Sequence, residues 1–150
     1  MVKLEENNYK FKGYCEDIND WVYGGIIHIT NEYNDEGDEY TVDDYYIITE
    51  DGVQFKVNKN SICQSTGIKD SNNNIIYNKD ILYINSDTLP FNEYIIWWNQ
   101  NQLRYYLYAI DRNNLNKLGG ILEADLRYIS TEVKSNIFST PINYDIFETN

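Results

Sequence analysis

Apolar and polar residues alternate with a period of two wherever this chain is regular. Val53, Phe55 and Val57 alternate with Gln54 and Lys56, which predicts a strand with one buried face and one wet face. Tyr45–Thr49 precedes it across Glu50-Asp-Gly52, a strong hairpin signal. Upstream, Trp21–Thr30 is rich in strand formers, and its paired Gly24 and Gly25 mark a bulge or a bend. Asn34-Asp-Glu-Gly37 is a turn cluster, and Tyr40–Val42 restarts an extended segment. Together these elements predict an N-terminal β unit over residues 1–60.

A second unit is expected over residues 61–150. It would hold a hairpin over Ile62–Leu82 and a polar connection at Asn85–Thr88 leading to Pro90. A second hairpin over Ile95–Ile110 turns at Asn99–Gln102, followed by a turn at Asp111–Asn114 and final strands at Leu126–Ile129 and Val133–Phe138. Short strands at near-regular spacing with polar turns fit a small barrel or sandwich. Leu122–Arg127 is the one stretch that reads as a helical turn. Fifteen Tyr and three Trp supply large buried area, and the helix formers Ala and Leu are scarce. The fold class is all-β.

Charge narrows the partners. The formal charge of −12, from 24 acidic and 12 basic residues, argues against direct nucleic-acid binding, because no Lys/Arg cluster exists to neutralise phosphates. An acidic surface is mainly a solubility feature, and more sharply it suits a protein partner with a basic surface. The two cysteines, Cys15 and Cys63, are too few and too far apart for a disulfide scaffold or a zinc site, and read as buried reduced thiols. The acidic N-terminus lacks the apolar stretch of a signal peptide, and no apolar run approaches membrane-spanning length. The expectation is a protein of the cytoplasm with no membrane association.

Three constellations could carry chemistry. His28, the single histidine, sits in a strand without a nucleophile motif, so a structural or surface role is the stronger reading. Asp70-Ser-Asn-Asn-Asn74 imitates the start of a calcium loop, but Ile75 and Ile81 stand where Gly and the bidentate Glu belong, so a β-turn is favoured. The run Glu32, Asp35, Glu36, Asp38, Glu39, Asp43 and Asp44 could pair carboxylates for hydrolysis. Carboxylates this dense and unshielded keep ordinary pKa values, which suits a solvated face or a basic partner better. No catalytic residue, cofactor or metal is expected.

Trp97, Trp98, Tyr105 and Tyr106 crowd one hairpin, and alternation sends neighbours to opposite sides. A small barrel buries only one of those sides, so a second core or a subunit interface is expected for the other. A homo-oligomer follows from the interface reading, with one of the two Trp residues in the contact.

The segment Ile62–Leu82 resembles a pattern of the YopX family of phage and prophage proteins. Gln64, Thr66, Gly67, Asp70, Ile76, Tyr77, Asp80 and Ile81 stand where that pattern has them. Lys10–Tyr14, Trp21–Ile26, Ile95–Trp98 with Leu103–Tyr108, and Glu132–Phe138 with Pro141 extend the likeness. Three of the family's glycines are replaced, by Asn73 or Asn74, by Lys79 and by Ser135; Asn tolerates positive φ, and the losses imply turns that either abandon left-handed geometry or bear strain. The resemblance implies an SH3-like barrel for the second unit and the cytoplasm of an infected bacterium as the setting. It implies no reaction. The expected function is a phage accessory protein acting as a non-catalytic interaction module. Alternatives are an acidic inhibitor of a host nucleic-acid-binding or defence protein, with Glu32–Asp51 imitating nucleic acid, and a carboxylate hydrolase.

Overall fold

The structure, a computed structural model, describes residues 10–85, 91–111, 131–136 and 138, and the backbone of 117–122. The chain divides into two compact units, Met1–Ser65 and Thr66–Asn150. Among the described residues every regular element is a β-strand except one 3-10 turn, Lys59–Ser61. The all-β expectation holds. The helical turn expected at Leu122–Arg127 and the strand expected at Leu126–Ile129 fall outside the described residues, apart from Leu122, which ends a strand.

In the first unit β1 (Phe11–Cys15), β2 (Asp20–Asp35), β3 (Asp38–Ile48), β4 (Gln54–Val57) and the start of β5 (Cys63–Lys69) form one antiparallel sheet, in the order β4-β3-β2-β1-β5. Alternation sends Cys15, Val22, Ile47 and Val57 to one face, where they form the core, with Phe11, Ile26, Tyr45, Phe55 and Ile62 packed around them. Val53 does not share that face as expected. It lies ahead of β4, exposed, because Thr49 and Val53 close the β3–β4 turn (Thr49 N–H to Val53 O, 2.9 Å). Gly24 owes its place to crowding: a Cβ there would lie 1.8 Å from the Ile48 carbonyl oxygen. Gly24 thus marks a close backbone approach, while Gly25 has open space.

The second unit contains the rest of β5, then β6 (Ile75–Tyr77), β7 (Asp80–Ile84), β8 (Glu93–Asn99), β9 (Arg104–Asp111), β10 (Lys117–Leu122) and β11 (Thr131–Asn136). Five strands make an antiparallel sheet in the order β10-β9-β8-β7-β11. β10 and β11 are its edges, and among the described residues no pairing joins them, so the sheet is open and the SH3-like barrel is not confirmed. Both faces of this sheet are buried. Leu82, Ile84, Tyr94, Ile96, Leu107 and Ala109 pack with Ile76 on one side. Ile81, Ile95, Tyr106, Tyr108 and Ile110 form a separate cluster.

The β5–β6 hairpin turns at Asp70–Asn74 as expected, and Ile76 and Ile81 are fully buried. Its second arm is not continuous, however. Asn78 and Lys79 break it, so Tyr77 ends β6 and Asp80 begins β7. Two of the three glycine-replaced positions keep left-handed geometry, with φ of 68° at Asn73 and 72° at Lys79, while Ser135 lies within β11. Asn accepts this readily, whereas Lys carries a penalty of about 1 kcal/mol.

Candidate functional site

The residues most distinctive in the sequence turn inward. Asp70, only 7% exposed, spends its carboxylate on three backbone donors. Oδ1 accepts from Asn72 N–H (3.0 Å) and Asn74 N–H (2.8 Å), and Oδ2 from Val133 N–H (2.9 Å). Those donors occupy the directions a cation would need, so the turn reading of this loop has a positive geometric basis. Thr66 Oγ1 donates to Ile76 O across the β5–β6 hairpin (2.7 Å). Asp80, buried, accepts Tyr77 N–H (2.8 Å), and Asn78 Oδ1 accepts Trp98 N–H (3.0 Å). These side chains bind their own backbone and serve the fold.

The aromatic hairpin is also largely inward. Trp97 pairs with Tyr106 and Trp98 with Tyr105 across β8–β9. Tyr106 is buried, and Trp97, Trp98 and Tyr105 are half-buried. Lys79 Nζ lies 5.3 Å from the Trp97 ring centre, and Arg104 lies over Tyr106 at 4.8 Å. Of the two alternatives for the second hairpin face, a second core or a subunit interface, the buried cluster that holds Ile81 and Ile95 fits the second core.

The exposed chemistry lies on the β2–β3 ribbon. Its tip, Asp35-Glu36-Gly37-Asp38, is a two-residue turn with φ of 52° at Glu36 and 92° at Gly37. Positive φ at both central positions is type I′ geometry, whose twist matches that of paired strands. The ribbon outruns its neighbours. β1 pairs with β2 only up to Gly24, and β4 pairs with β3 only from Tyr45 onward. Among the described residues the two strands therefore have only each other from Ile29 to Asp44, and nearly every residue there is exposed.

Its two faces differ. The face that holds the core at the base continues outward through His28, Thr30, Glu32, Glu39, Thr41 and Asp43, all polar. The opposite face carries Ile29, Tyr33, Tyr40 and Val42, 37–47% exposed, with Tyr33 and Tyr40 stacked at 5.4 Å. This apolar stripe is not an extension of the core, because it lies on the other side of the sheet.

On the polar face, Asp43 Oδ1 accepts from Thr30 Oγ1 at 2.6 Å and lies 2.9 Å from His28 Nε2. The Thr30 hydroxyl first, and His28 second, hold the Asp43 carboxyl below the usual range. The acidic run is therefore not uniformly ordinary in its pKa values, and this shift opposes an acid catalyst. Nor is the group a catalytic triad. A relay needs hydroxyl and carboxylate on opposite ring nitrogens, whereas Thr30 (3.4 Å) and Asp43 both approach Nε2. The His28 ring lies flat on Tyr45, with centres 4.4 Å apart, in keeping with a surface role.

Charge is concentrated in this unit to a degree that the acidic run alone did not disclose. Between Lys12 and Lys56 there is no Lys or Arg, and twelve of the 24 acidic residues fall there. The remaining acids equal the twelve basic residues, so residues 13–55 hold the whole net charge of −12. Tallying charge by segment would have found this. The exposure of the stripe had no local signal.

A family model described as YopX protein matches residues 10–142. The chain belongs to the YopX family. Membership fits a phage-associated protein of unspecified activity. No curated protein matches the chain. The matched stretch includes the inward-facing Asp70 and Asp80 as well as the ribbon. No helix among the described residues is long and apolar enough to cross a membrane.

Proposed function

We propose that this YopX family member is a non-catalytic protein-interaction module, a phage accessory protein of the host cytoplasm, whose contact element is the β2–β3 ribbon. One observation carries the reading: the ribbon exposes a row of Ile, Tyr, Tyr and Val on the face away from the core. A contiguous apolar patch on a soluble surface is a mark of an interaction site. The surrounding carboxylates select a partner with a basic surface and speed its encounter.

A test is affinity capture from infected host lysate with the parent chain and with Tyr33→Ser/Tyr40→Ser. These positions are exposed, so the variant keeps its fold. The expected outcome is one protein retained by the parent and lost by the variant. Equal recovery by both would refute the ribbon as the contact element.

The Lys/Arg-free segment favours a second reading, an inhibitor that occupies the nucleic-acid site of a host protein. Duplex DNA then displaces the captured protein, whereas under the first reading alone it does not.

A further inference from the structure

We propose that the outer edge of β3, Asp38–Asp44, takes up an extended segment of the partner as an added strand, and that this segment alternates Lys or Arg with apolar residues. The proposal rests on the interaction-module reading and specifies its mode and its partner chemistry.

The edge is bare for a structural reason. β4 covers β3 only at Tyr45–Ile48 and then leaves the sheet, its departure fixed by Asn58 N–H bonding Tyr14 O at 2.9 Å. Beyond that point the outward backbone groups of β3 have no strand beside them among the described residues. Such an edge is a template for strand addition.

The side chains define what would fit. Along this edge Glu39, Thr41 and Asp43 point to the polar face, and Tyr40 and Val42 to the apolar one, with Asp38 and Asp44 at that face's two ends. A neighbouring strand also alternates, so its residues beside Glu39 and Asp43 meet carboxylates while those between them meet Tyr and Val. Basic residues at the first set and apolar residues at the second satisfy both faces. At the base of the apolar face β4 already sets a lysine against this edge: its Lys56 Nζ lies 3.2 Å from Asp44 Oδ1.

A second copy of the chain is the wrong occupant. Antiparallel self-pairing centred on Thr41 would set Asp38 against Asp44 and Glu39 against Asp43, with like charges directly opposite, which destabilises a sheet. Charge complementarity points instead to a basic strand.

The experiment uses the full chain and a labelled synthetic heptapeptide alternating Lys and Val, with fluorescence anisotropy as the readout. The comparators are a block peptide of the same composition and the alternating peptide N-methylated at every second residue. Binding is expected for the alternating peptide, weakening with added salt. A loss of at least about tenfold is expected on N-methylation, on blocking the sequence, and in Glu39→Gln/Asp43→Asn and Tyr40→Ser. If all three peptides bind equally, strand addition is overturned while the ribbon remains a contact element. If none binds, the basic-strand proposal is overturned, and lysate capture with the ribbon variant decides the module reading separately.

Discussion

Replacing Asp70 by Ala tests whether the family's central motif is scaffold. The carboxylate receives three backbone N–H groups, and Asp70 is 7% exposed. After truncation the turn donors of the exposed Asn72 and Asn74 can reach water, at a cost of about 0.5–1 kcal/mol each. Val133 N–H comes from β11 and is part-buried, so losing its charged acceptor costs about 1.5–3 kcal/mol. The sum is about 2.5–5 kcal/mol, and with an m-value of about 2 kcal/mol/M the urea midpoint falls by about 1.2–2.5 M. Asp70→Asn keeps one carbonyl oxygen but turns an amide donor toward either the loop or Val133, so about half the loss is expected. Urea titration followed by tryptophan fluorescence measures both, since Trp97 and Trp98 lie in the same unit as Asp70. Asn72→Ala, which keeps the backbone N–H, is the control and should move the midpoint little. A midpoint for Asp70→Ala within about 0.2 M of the parent would refute the reasoning.

Gly24→Ala should destabilise by more than about 3 kcal/mol in thermal or urea unfolding, because its Cβ meets the Ile48 carbonyl at 1.8 Å, whereas Gly25→Ala, with nothing within 4 Å, should be mild. Lys79→Gly should stabilise by about 0.5–1 kcal/mol by relieving left-handed strain, read in the same assay; a destabilised variant would show that the Lys79 contact with Trp97 outweighs the strain. Thr30→Val should raise the Asp43 pKa toward 3.8 in an NMR titration, and more than His28→Gln does, because the Thr30 hydrogen bond is the larger cause. The folded pKa of Asp43 is depressed, so its stabilising effect is present above 3.8 and lost as pH falls through the folded value. Parent and Thr30→Val stabilities should therefore converge in strong acid.

Local chemistry alone determined the strand content, the Asp70–Asn74 turn, the tip at Asn34–Gly37 and the burial of Ile76 and Ile81. Alternation and turn residues act over a few positions, so they can be read without knowing what lies opposite. Other properties depend on which strand stops where. The stripe of Ile29, Tyr33, Tyr40 and Val42 has the apolar character of a buried face, and it is exposed because β1 and β4 end short of it. The second face of β8–β9, for which a second core or a subunit interface is the expectation, carries a buried cluster that joins three strands, with Ile81 beside Ile95 and Ile95 beside Tyr108. Asp70 illustrates both levels: its turn is local, but the bond to Val133 joins residues 63 positions apart. Only tertiary pairing sets such a contact, since backbone donors carry no residue-specific mark in a sequence.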